Sequence, residues 1–305
     1  MAVALITIWL CLVPLTACAK GEPPSTPPPK NNQEGRGLLI GIIPEHNLFK
    51  QADRYNPLMK YLSAKIGMEI RLSVLSRYGN LLHNFISERM DGAFFGSFTY
   101  ALAHTRLGVE ALARPELLDG ASTYHGLILA RKTSRIRTAE SMQGKTFVFV
   151  DQATTAGYLL PLAYFKKHRI ENYRDYFKET YFAGTHEDVI YDVLHSKADV
   201  GAAKNTVYKR LAAGDRRISQ ELLVLDRSPD VPENGLAVRK DLDRELKKKL
   251  KNALLAVGQE REGRELLKIF GAQRFVETVD RDYLPIYRYA GEIGLDLATY
   301  DYQNE

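Results

Sequence analysis

From Leu38 onward, apolar strand-like runs alternate with helix-like stretches, and this alternation confines the chain to an α/β architecture. The run Leu38-Leu39-Ile40-Gly41-Ile42-Ile43 reads as a buried strand stopped by Pro44. Asn56-Pro57 reads as a helix start, with Leu58, Leu62 and Ile66 on one face and Gly67 as its stop. A strand over 68–75, a helix over 79–89, a strand over 92–96, a helix over 99–107 and a short strand over 109–113 follow. A second series begins near Tyr124, with strands at 125–130, 146–150, 199–203 and 222–225 and helices at 159–168, 187–196 and 206–213. Leu236-Ala237-Val238 then returns towards the first series, followed by helices near 241–257, 260–269 and 282–293. Two such series joined by crossings near 118–124 and 227–235 predict two lobes, 38–118 plus 236–305 and 119–235, each a mixed sheet flanked by helices. Ligands of such folds sit where strands end and helices begin, facing the cleft between lobes.

The residues before Leu38 belong to a different regime. Residues 1–17 are apolar, no charged side chain precedes Lys20, and the stretch has the length of a signal peptide. It lacks the basic residue with which such peptides usually begin. Leu15-Thr16-Ala17-Cys18 resembles a bacterial lipobox, which implies that Cys18 is lipidated and becomes the new N-terminus. Residues 18–37 carry Pro23, Pro24, Pro27, Pro28 and Pro29 and then a polar run, a composition suited to a solvated tether. With Cys11 cleaved off and Cys18 lipidated, no cysteine remains for a disulfide, so the domain must rest on its core. The expected location is the cell envelope, on a membrane surface.

The net charge is +5 and the pI about 9.0. Its one dense run, Lys247-Lys248-Lys249 with Lys251, follows Asp241, Asp243 and Glu245, and reads as a solvated helix face and not as a nucleic-acid surface. The histidines show no pairing at metal-ligand spacing, and no metal or cofactor is implied. No Gly-x-Ser-x-Gly segment or nucleophile–base set appears, which argues against an enzyme.

The segment that carries chemistry is Asp151-Gln152-Ala153-Thr154-Thr155-Ala156-Gly157-Tyr158, between a strand and a helix. Backbone N–H groups at a helix start are unpaired, and the helix dipole adds positive potential, so the spot suits a tetrahedral oxyanion. A threonine there also serves as a plain N-cap. Tyr78, Ser97, Thr99, Tyr100 and Tyr124 fall on neighbouring loop positions. Thr185 and Asp188 form a helix-start pair that places His186 in the first turn.

In this order, Asn56-Pro57-Leu58 with Tyr61-Leu62-Ser63, Arg77-Tyr78, Met90 to Gly96, Tyr124, Met142 to Lys145, Thr154 to Tyr158 with Pro161, and Gly184-Thr185-His186 resemble the PhnD-like binding proteins of ABC importers. That family takes phosphonate, phosphite or phosphate on a type II periplasmic-binding fold. The resemblance implies that Thr154 and Thr155, with backbone N–H groups near Ala156 and Gly157, hold the oxyanion. It further implies that Tyr78, Tyr124 and His186 donate to it from both lobes. Ala156 stands where the family signature has a serine. Asn234 stands where aminoalkylphosphonate binders of the family carry a carboxylate, with Glu233 as its substitute if the loop shifts, which favours phosphate, phosphite or a small alkylphosphonate. The implied partners are an ABC permease and its ATPase, reached by a monomer. A sensing lipoprotein with a signalling partner is the alternative on the same site.

Overall fold

The computed structural model describes residues 37–302, apart from 46, 47, 76, 79 and 80, with Leu48 and Phe49 described in backbone only. The expected signal peptide, Cys18 and the Pro-rich tether therefore lie outside the described residues. Along the chain the first elements are β1 (Leu38–Ile42), α1 (Leu48–Ile66), β2 (Ile70–Val74), α2 (Leu81–Ser87), β3 (Gly92–Phe95), α3 (Ser97–Leu107) and β4 (Glu110–Leu117). Then come β5 (Thr123–Tyr124), β6 (Gly126–Arg131), β7 (Thr146–Phe149), a π-helical turn (Thr155–Leu159) leading into α4 (Leu160–Lys167), α5 (Tyr173–Tyr176) and β8 (Glu179–Phe182). α6 (His186–Leu194), β9 (Val200–Lys204), α7 (Asn205–Gly214), α8 (Arg216–Glu221) and β10 (Leu222–Arg227) complete that half. The return runs through β11 (Val231–Pro232), β12 (Gly235–Val238), α9 (Arg244–Ala256), α10 (Arg261–Phe270), β13 (Ala272–Glu277) and α11 (Leu284–Glu292).

Two sheets follow from this order. The first lobe's sheet runs β13-β4-β12-β3-β1-β2, and the second's runs β10-β6-β9-β7-β8. In the first, β1 is parallel to β2 and β3, while β12 enters antiparallel to both β3 and β4. In the second, β7 is parallel to β8 and β9, while β6 runs antiparallel to β9 and β10. Where the chain crosses between sheets, β5 and β11 pair antiparallel, with Val231 opposite Tyr124. The architecture is the two-lobed α/β fold, with strand ends and helix starts of both lobes meeting in a cleft.

Packing explains the local choices. All of β3 and β9 is buried, as expected of central strands covered on both faces. Helix α9 buries Leu246, Leu250 and Leu254, one apolar stripe at four-residue spacing. Its lysines face outward or pair, Lys247 with Glu110 at 2.7 Å and Lys251 with Glu277 at 2.8 Å. Outer-face clusters fill each lobe, whereas a further cluster unites Ile43, Leu75 and Phe95 of the first lobe with Leu127, Leu129 and Val148 of the second.

Three features differ from the sequence expectation. Helix α1 begins at Leu48, with Pro57 inside it and not at its start. The proline forgoes a helical N–H bond, yet Tyr55, Leu58, Met59 and Leu62 are buried on either side of it. Tyr55 packs edge-on against Phe94 and Phe270 with centroids 4.9 and 5.0 Å apart, and this burial carries the helix through the proline. The strands β8 and β13, which the sequence reading does not anticipate, are sheet edges with mostly half-exposed or exposed residues, so their apolar signal is weak. The C-terminal stretch touches both lobes: Arg106 donates to the Leu297 carbonyl at 2.9 Å, and Tyr300 donates to that of Gln152 at 3.0 Å.

Gly157 shows how tightly the second lobe is built around its π-turn. A Cβ there would lie 2.4 Å from Cβ and Cγ2 of Val150. Gly157→Ala should cost about 1–3 kcal/mol by overpacking, read as a lower urea midpoint. Gly214→Ala, where a Cβ meets nothing within 4 Å, should leave the midpoint nearly unchanged. Equal midpoints for the two variants would show that Val150 yields without cost.

Candidate functional site

A small polar pocket lies between the lobes. Ile43, Glu45, Tyr78, Gly96 and Thr99 line it from the first lobe, and Ala153, Thr154, Thr155, His186 and Lys204 from the second, with Tyr124 and Asn234 beside the crossings. It encloses about 10 Å³ of free space, about the room of one water molecule. A tetrahedral anion therefore enters only as the lobes part or the side chains draw back.

The lining is built from element ends. Tyr78 follows β2, and its buried hydroxyl has no hydrogen-bond partner. Nearly every buried polar group in a folded protein is paired, so an orphan in the lining of a pocket is an exception that calls for a reason. Burial raises the Tyr78 phenol well above its ordinary value, and Glu45 adds to this, so it keeps its proton. The side-chain amide nitrogen of Asn234 is likewise buried without a partner. Tyr124, in β5, is pushed up to about 12, chiefly by burial, with Lys204 and a hydrogen bond from Thr155 pulling the other way.

His186 opens α6, where Thr185 caps the helix by accepting from the Asp188 N–H at 3.0 Å. Its Nδ1 accepts from the backbone N–H of Lys204 at 3.2 Å, which places the ring proton on Nε2. The ring stands edge-on to Tyr78, centroids 6.2 Å apart. Burial lowers His186 to about 3. The pocket thus offers neutral donors, which suit an anion in a dry site.

The two threonines part company. Thr154 donates its hydroxyl to the Asp151 carbonyl at 2.6 Å, so that proton is already spent on the turn. Thr155 accepts from the backbone N–H of Phe98 at 2.9 Å, linking the π-turn of one lobe to the start of α3 in the other. Ala156 and Gly157 do not line the pocket; Ala156 lines a separate cavity of about 310 Å³ with Gly126 and Leu160. Ser97 donates to the Pro232 carbonyl at 2.5 Å, and Tyr100 packs against Tyr283 at 3.9 Å; neither lines the pocket.

Lys204 and Glu45 are the charged residues of the pocket that the sequence reading misses. Lys204 ends β9 and is 2% exposed. Its Nζ lies 2.6 Å from Glu45 Oε1, pairs with Glu233, stands 3.3 Å from Asn234 Oδ1 and sits 4.2 Å above the Tyr124 ring. Burial pulls this ammonium down, but Glu233, Glu45 and Tyr124 outweigh it and hold it above its ordinary value. The only signal in the sequence is a lysine directly after an unbroken apolar strand run, matched by a glutamate just past β1. Among the described residues no group of His, Cys, Asp and Glu could hold a metal ion.

Two α/β lobes that meet at a small buried polar pocket are the architecture of a type II periplasmic-binding protein. The family model for the periplasmic substrate-binding protein of phosphonate ABC transporters matches residues 40–283, and the chain belongs to that family. It is 24% identical over 268 residues to the phosphonates-binding periplasmic protein of Escherichia coli, covering 86% of this chain and 78% of that one. It is 27% identical over 215 residues to the phosphate-import protein PhnD of Mycolicibacterium smegmatis, covering 66% and 65%. The structure of Prochlorococcus marinus PhnD1 with methylphosphonate superposes with a TM-score of 0.75 at 20% identity, covering 84% of this chain and 98% of that one.

The buried neutral imidazole has a measurable consequence. His186 in the unfolded chain titrates near 6.5 but in the folded protein only near 3. Below pH 6.5 the unfolded state binds a proton that the folded state refuses. Stability is then lost as pH falls towards 3, at up to about 1.4 kcal/mol per pH unit from this group. Urea unfolding of the wild type should weaken more steeply below pH 6.5 than that of His186→Gln. Parallel curves would show that the ring charges inside the folded protein.

Proposed function

We propose that this chain is an envelope lipoprotein that captures a phosphorus oxyanion (phosphate, phosphite or a small alkylphosphonate) between its lobes and presents it to an ABC permease and its ATPase. The observation that carries this reading is the pair of buried, unpartnered donors, the Tyr78 hydroxyl and the Asn234 amide, lining one closed pocket with the neutral His186. Tyr78, Asn234 and the Nε2–H of His186 are the proposed direct donors. Thr155 and Tyr124 complete the wall, and Thr154 shapes the turn behind it. Ala156 and Gly157 contribute through the backbone of the π-turn, whose leading N–H groups add positive potential. Binding favours the closed state because donors from both lobes reach the anion only when the lobes meet. The family's role is capture and delivery, so on this reading the anion leaves unchanged. Cys18 is the proposed lipid attachment point, and residues 18–37 the tether.

Isothermal titration of residues 38–305 with phosphate, phosphite and methylphosphonate tests the reading. At least one should bind, and Tyr78→Phe should weaken that ligand roughly ten- to a hundred-fold, the 1.5–3 kcal/mol of a hydrogen bond to a charged group. Absence of binding by all three would sink the proposal. In cells, Cys18→Ala should move the protein from the membrane fraction to the soluble fraction; unchanged fractionation would rule out the lipid anchor.

A further inference from the structure

We infer that Lys204 is a built-in plug that sets ligand selectivity, filling an ammonium cage in the pocket wall and so restricting the site to compact anions without an amine. This inference rests on the oxyanion reading above. The cage is formed by Glu45 and Glu233, by the Asn234 side-chain oxygen and by the face of Tyr124. Two carboxylates, an amide oxygen and an aromatic face are the groups that recognise a desolvated ammonium. Here the chain supplies that ammonium itself, from the last residue of β9.

Position gives the cluster its role. Lys204 and Glu45 line the oxyanion pocket and also, with Glu233, a chamber of about 770 Å³ on the far side. The cluster is therefore the partition between the two spaces. With Lys204 in place, a substituent on phosphorus that pointed this way would meet a buried, fully engaged ammonium and have nowhere to go. The second Glu233 oxygen is buried without a partner, so the cage keeps an acceptor beyond those Lys204 uses. Arg54 and Arg210 line the chamber side, and both carboxylates act on the Arg210 charge from across the wall. Without Lys204, the carboxylates and the Tyr124 face would keep their places with no ammonium between them, which disfavours a simple anion beside them and favours one that brings its own ammonium.

The test compares methylphosphonate, ethylphosphonate and 2-aminoethylphosphonate by titration calorimetry, on the wild type and on the double variant Glu45→Gln/Lys204→Met. That variant removes one carboxylate with the ammonium, so the net charge of the cluster is unchanged and the fold is spared a second unpaired buried carboxylate; circular dichroism and the urea midpoint verify that it is folded. The wild type should bind methylphosphonate at least tenfold more tightly than either larger ligand. In the double variant the ratio of 2-aminoethylphosphonate to ethylphosphonate affinity should rise at least tenfold. A wild type that binds 2-aminoethylphosphonate as tightly as methylphosphonate overturns the inference whatever the variant does, as does a folded double variant whose ratio stays the same. If the wild type binds none of these ligands nor phosphate or phosphite, it is the oxyanion reading itself that has failed.

Discussion

An ammonium group taken out of water must find acidic partners, and the pairing of Lys204 with Glu45 and Glu233 is the constraint around which this protein is arranged. Removing two carboxylates and a lysine from solvent costs several kcal/mol per ion before any attraction is counted. The cost is met only when three separate chain segments, the end of β1, the end of β9 and the loop after β11, arrive together. Breaking such a group by deleting one member is far more damaging than never having had it. The cluster thus specifies one closed arrangement of the lobes more than it deepens stability in general.

The remaining site follows from that arrangement. Once Lys204 is anchored, its backbone N–H meets His186 Nδ1 and selects the imidazole tautomer that presents Nε2–H to the pocket. Asn234 turns its oxygen to the lysine, which leaves the amide nitrogen free to face the ligand space. The face of Tyr124 covers the ammonium. One buried charge therefore orients several neutral donors, and the pocket can hold an anion without placing a loose cation against it.

Much of the fold and half of the site can be read from the sequence, and the misses have physical causes. Alternating apolar runs mark the central strands because these are buried on both faces; the edge strands β8 and β13 escape because most of their residues are half-exposed or exposed. Tyr78, Tyr124, Thr155, His186 and Asn234 are legible as polar residues just beyond strands or at helix starts, and all reach the pocket wall. Thr154 looks identical to Thr155 in sequence, but which hydroxyl is consumed by the turn depends on where the Asp151 carbonyl points. The π-turn likewise swings Ala156 to a different cavity, a displacement that a regular helical period does not anticipate. Lys204 is invisible for a simpler reason: a lysine next to Asn205 at a strand end reads as solvated, and its partners lie 159 and 29 residues away in the chain.

The short ribbon formed by β5 and β11 has a mechanical meaning. Two separate linkers would let one lobe translate, twist and bend freely against the other. Hydrogen-bonded side by side, with Val231 opposite Tyr124, they act as a single flat spring, stiff to stretching and sliding and soft only to flexing. Relative motion then collapses towards one rotational degree of freedom. Tyr124 sits on the ribbon itself and in the pocket wall, so flexing of the ribbon and the shape of the pocket are tied through one residue.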